Sequence, residues 1–161
     1  MKMHLQLIYK FLLLFMFVTY CNTVLAKDMP EITAIPQINS SHQVEIFFTL
    51  KNTTRNPMVI LEDELPWQPS IAMLFVVVDR TGGALDQIIP LVSPNFENTV
   101  ELKSGASLSG TVLLSPRFPS LDTDRRKRQL IFFWTYQSSD FSTRLTKLDR
   151  VGGYFVVPSE P

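Results

Sequence analysis

The chain has 161 residues, with 15 lysines and arginines against 15 aspartates and glutamates. It therefore lacks the basic excess on which general nucleic-acid binding depends. One cysteine and two histidines leave little material for cysteine or multi-histidine metal sites, or for histidine-dependent catalysis.

Residues 1–26 read as a secretory signal peptide. Lys2 and Lys10 supply a positive start, Phe11 to Val18 an unbroken apolar run, and Val24-Leu25-Ala26 a small-residue cleavage context. The apolar run is short for a membrane span, and Thr19, Cys21, Asn22 and Thr23 interrupt it. Two other readings compete: an uncleaved anchor, and a lipid-modified Cys21, against which bulky Tyr20 stands where such motifs carry a small residue. Cleavage after Ala26 leaves 135 residues, enough for one domain with a real core. That domain, 27–161, has no cysteine, keeps His42 as its only histidine and is nearly neutral. Its stability must come from packing, and the expected location is periplasmic or secreted, with no stable membrane span after cleavage.

In chain order, residues 31–38 suggest an edge strand, because Pro36 cannot donate to a ladder. Residues 44–51 alternate apolar and polar with period two, the mark of a strand with one buried face. Turn formers at 52–57 end it before a short strand at 58–61. Residues 71–78 form a nearly continuous apolar run rich in β-branched side chains, expected to be a central strand covered on both sides. Gly82-Gly83 permit a turn from which 85–89 is expected to pair back. Residues 99–102 and 107–114 flank Lys103-Ser104-Gly105-Ala106 and read as a hairpin, with Gly110 a candidate bulge. Residues 130–137 are apolar on both faces and form the second central candidate. Segments 144–148 and 154–157 suggest a closing hairpin around Gly152-Gly153.

Eight or nine short strands with intervening turns, no fixed-period repeat and no sustained helical stripe predict an all-β fold, a single antiparallel β-sandwich. Three segments in order, Leu50-Lys51-Asn52-Thr53, Pro57-Met58-Val59-Ile60 and Phe133-Trp134-Thr135-Tyr136, resemble bacterial immunoglobulin-like domains of exported proteins. The resemblance spans most of residues 27–161 and implies an immunoglobulin-like sandwich without the disulfide of antibody domains. The first segment is also similar in outline to small bacterial β-sandwich proteinase inhibitors.

The loop at 62–69 holds Glu62, Asp63 and Glu64 beside Leu65, Pro66, Trp67 and Pro69. A tryptophan between φ-restricted prolines is a candidate contact anchor. It equally suits a plug folded back onto the end of the sandwich. The three carboxylates lack the spacing of a dedicated calcium loop. Arg117 and Phe118, between Pro116 and Pro119, form a second candidate contact loop or a cover over the core edge. The basic run at 125–128 reads as a solvated turn rather than a processing site. Asn39 and Asn52 head glycosylation-type triplets and read as ordinary turn residues. No nucleophile elbow, phosphate-cradling loop or dinucleotide fingerprint is present in the sequence. The expected function is therefore a noncatalytic module, with no cofactor or metal, that binds another protein in the envelope or outside the cell through loops or a sheet edge. The alternative is a regulator of an enzyme, such as a protease inhibitor or an immunity-type protein.

Overall fold

The computed structural model describes residues 30–70, 72–89, 97–138 and 148–158. The leader, Ile71 and residues 144–147 of the segment expected at 144–148 lie outside these, and Leu148 is described but belongs to no strand. Among the described residues are eight strands: β1 (Glu31–Ile38), β2 (Val44–Lys51), β3 (Met58–Leu61), β4 (Met73–Asp79), β5 (Thr99–Leu102), β6 (Ser107–Leu113), β7 (Leu130–Tyr136) and β8 (Val151–Val156). A 3₁₀ turn at Glu62–Glu64 and one short helix, α1 (Leu121–Asp124), complete the elements.

All pairings are antiparallel, in sheets ordered β1-β2-β6, β3-β5 and β4-β7-β8. Alternation decides what each strand buries. Val44, Ile46, Phe48 and Leu50 of β2 are fully buried, and they face Phe75, Val77, Phe132 and Trp134 of the other large sheet within one hydrophobic cluster. Ring contacts cross between the layers: Phe48 stacks on Phe75 at 6.3 Å and meets Trp134 edge-on at 5.6 Å. The chain is thus an all-β antiparallel sandwich, with β7 at the centre of one layer and β2 at the centre of the other.

Several expectations are corrected. Residues 99–102 and 107–113 do not form a hairpin with each other, because β5 pairs with β3 and β6 pairs with β2. The intervening turn is fastened to Asn52 instead, with Asn52 N donating to the Ala106 carbonyl and Gly105 N to the Asn52 carbonyl. The strand expected at 85–89 shrinks to one bridge, Val78 to Ala84. Beside it Leu85 N donates to the Val77 carbonyl of β4 at 2.9 Å, and further on Ile88 N donates to the Arg117 carbonyl at 2.8 Å, so only the start of the segment is tied to β4 and the rest leans on the crossover loop. Gly110 is no bulge, since the β2–β6 register runs unbroken through its pairing with Phe48.

Side chains fix the turns. The Asn39 carboxamide accepts from Ser41 N and Gln43 N, which lets His42 close the β1–β2 turn at φ 62°. Asn52 is fully buried, and its amide donates to the carbonyls of Asn56 and Leu102, both at 2.8 Å. Both of its N–H bonds are thus spent inside the fold, which suits a structural pin.

Asp79 ends β4 and organises the following turn. Its Oδ1 accepts from the Thr81 hydroxyl at 2.7 Å and from Thr81 N and Gly83 N at 2.9 Å, while Oδ2 pairs with Arg128. The Thr81 hydroxyl first, then the Gly83 amide, and last the Arg128 charge hold its carboxyl below the ordinary value of 3.8. The unfolded chain then takes up the proton at a higher pH than the folded one. Stability from this group is complete above the ordinary value and is lost as pH falls through the lowered one. Asp79→Asn is therefore expected to lower the thermal midpoint at about pH 6, with the gap from the parent narrowing towards about pH 3. Parallel melting curves across that range check this; a gap that stays constant overturns the assignment.

Candidate protein-binding face

The five residues singled out in the loops are largely turned inward. Leu65 and Pro66 are buried directly after the 3₁₀ turn. Phe118 is 1% exposed and meets Phe132 edge-on at 6.5 Å. Arg117 is also buried, its guanidinium 4.7 Å from the centre of the Phe75 ring and within 3.5 Å of the Gln68 carbonyl. Burial pushes its pKa below the usual guanidinium value. Trp67 is half-buried against the core. A Cβ built on Gly110 would lie 2.2 Å from the Trp67 Cγ, so the indole occupies the space that any other residue at 110 would fill. The structure brings the two loops together: Arg117 of the second reaches Gln68 of the first.

The basic run is also not uniformly solvated. Arg125 is 3% exposed, bonding Asp122 at 3.1 Å and donating to the His42 carbonyl. Arg128 pairs with Asp79 and with Asp124. These cations tie α1 to the β1–β2 turn and to the end of β4. Burial raises the pKa of the Tyr136 hydroxyl, with the Glu64 charge adding to the effect; it has no hydrogen-bond partner among the described residues.

The main departure from expectation lies on the outside of the β4-β7-β8 sheet. Residues 71–78 and 130–137 read as covered on both sides, yet Leu74, Val76, Phe133, Tyr154 and Val156 are all exposed large apolar side chains. Register places them together. Val78, Ile131 and Val156 form one row across the three strands, Val76, Phe133 and Tyr154 the next, and Leu74, Thr135 and Gly152 the third. Phe133 sits at the centre of this grid, its ring 5.8 Å from that of Tyr154. Successive same-face rows lie about 6.7 Å apart and strands about 4.8 Å apart, so the grid covers roughly 20 by 14 Å. No charged residue occurs in it.

The outer face of the β1-β2-β6 sheet is the internal comparison. It pairs Glu31 with Lys51, Thr33 with Thr49 and Gln37 with Glu45, and across β2–β6 it pairs Thr49 with Ser109 and Lys51 with Ser107. Gln37 donates to Glu45 at 2.7 Å, and the Thr49 and Ser109 hydroxyls share a hydrogen bond at 3.1 Å. The Ile35–Phe47 pair and Leu113, which faces Glu45 across β2–β6, are the apolar residues among these outward positions. One sheet is thus finished for water and the other is not. Sequence reasoning had the signal for this face, the apolar residues at 74, 76, 131 and 133, but took apolarity on both sides of a strand as burial on both sides.

Among the described residues no three histidine, cysteine or acidic side chains gather as a metal-ligand group, and no helix there is long and apolar enough to cross a membrane. Compared with known proteins, the chain matches no family model and no curated sequence.

Proposed function

We propose that this chain is an exported, noncatalytic protein-binding module that engages its partner through the outer face of the β4-β7-β8 sheet. The observation that supports this reading is the uncharged apolar grid centred on Phe133. Five side chains of this size, between 40% and 73% exposed, leave on the order of 450 Å² of apolar surface. The largest patch on a monomer at this scale is often functional. The face continues to the edge strand β8, whose sequence Val-Gly-Gly-Tyr-Phe-Val carries no charge or proline to discourage strand addition. By contrast, Leu65 and Phe118 belong to the core and Pro66 is buried beside them, which favours the sheet over the loops as the binding site.

The test is site-specific photocrosslinking in producing cells, with a benzophenone amino acid at Tyr154 and, separately, at Thr111 on the polar sheet. A discrete protein adduct is expected from position 154 and none from 111. Equal labelling from both positions, or no adduct from 154, overturns the reading. The mass of the exported product is expected to place its first residue at Lys27.

A further inference from the structure

The grid does not end in neutral surface, and its two ends state what kind of partner fits. At one end, next to the Asp79–Leu130 pair, Arg80 Nε donates to the Gln129 carboxamide. At the other, next to the Tyr136–Val151 pair, Arg150 donates to the Gln137 carboxamide through Nε at 3.2 Å and Nη2 at 3.1 Å. Continued alternation puts all four side chains on the same outer face as Phe133. Both arginines are exposed and meet a neutral amide, with no carboxylate partner among the described residues. They stand at diagonal corners, four rows and two strands apart, a separation of about 28 Å.

We infer that the occupant of this face is another protein presenting an apolar strip about 20 Å long with a carboxylate near each end, and this rests on the reading of the face as a docking surface. The apolar centre supplies desolvation, while a guanidinium at each end favours a carboxylate in a defined position and registers the partner along the sheet. A second copy of this chain fits less well. Two such faces placed against each other bring arginine corners to arginine corners and offer no acid to either, and like charges set opposite each other disfavour the pairing. An anionic membrane fits less well too, because two basic residues are few beside the about four to eight that lipid-binding surfaces gather.

The experiment uses the full chain in producing cells with the benzophenone at Tyr154, and compares the parent with Arg80→Glu/Arg150→Glu, Arg80→Lys/Arg150→Lys and Phe133→Asp. The adduct is expected to fall about tenfold in the double glutamate variant, as two rim attractions become repulsions. It is expected to survive largely intact in the double lysine variant and to disappear in Phe133→Asp. Circular dichroism of the purified variants confirms that each folds. An adduct insensitive to both glutamates overturns the acidic-flanked partner while leaving the docking face in place. An adduct of twice the chain's mass replaces the inferred partner with a second copy. Cosedimentation with phosphatidylglycerol vesicles, lost in the glutamate variant and without a protein adduct, replaces it with a membrane. Absence of any adduct from the parent removes the docking face and this inference together.

Discussion

Phe132→Ala is expected to destabilise the domain by about 3–5 kcal/mol, the range found when a large aromatic is deleted from a close-packed core. Phe132 is fully buried on the central strand of its sheet. Its ring lies 5.2 Å from Phe75, 4.8 Å from Phe155 and 6.5 Å from Phe118. These three neighbours come from β4, from β8 and from the crossover after β6, so the ring joins parts of the chain far apart in sequence. The cavity left by its removal borders three other rings that cannot all relax into it. Phe133→Ala, one residue along the same strand, is the control: its side chain points outward and is 40% exposed, so its cost is expected to stay below about 1 kcal/mol. Urea denaturation of both variants at one pH measures the pair. Equal losses would mean that the outward row is covered in the native protein.

The contrast between these two adjacent phenylalanines locates the limit of what the sequence reveals. Alternation at Val44 to Leu50 was legible because Glu45, Thr49 and Lys51 mark the water side. At Leu130 to Tyr136 both sides are apolar. A strand buried twice and a strand with one face reserved for a partner have the same composition, and only the second layer of the fold tells them apart. Edge placement of β1 was readable from Pro36, which cannot donate to a ladder. The pairing of β5 and β6 was not, because proximity in sequence favours a hairpin and nothing local records that each strand has a partner in a different sheet. Arg117 and Arg125 illustrate a related limit. Charge predicts exposure, but one guanidinium lies over the Phe75 ring and the other meets backbone carbonyls and Asp122, which offset its desolvation.

Trp67 and Gly110 are expected to behave as one unit, although 43 positions separate them in the chain. In the parent, Gly110→Ala puts a methyl group into the indole, with Cγ, Cδ2 and Cδ1 all within 2.5 Å of the new Cβ. The ring must leave its seat against the core, at a cost of about 1–3 kcal/mol for overpacking. Trp67→Ala alone is expected to cost about 2–3 kcal/mol, below the range for a fully buried tryptophan because the ring is only partly covered. The informative variant carries both changes. With the indole gone the methyl group at 110 has room, and alanine loses less chain entropy than glycine in a strand, so Gly110→Ala is expected to turn from destabilising to neutral or stabilising by up to about 1 kcal/mol. The double-mutant cycle should then show a coupling of about 1–3 kcal/mol. Additive losses within about 0.5 kcal/mol would mean that the indole does not rest on Gly110 in solution, and would return Trp67 to candidacy as a surface contact. A strong coupling combined with unchanged crosslinking from Tyr154 in the Trp67→Ala variant assigns this tryptophan to the core and leaves recognition to the sheet face.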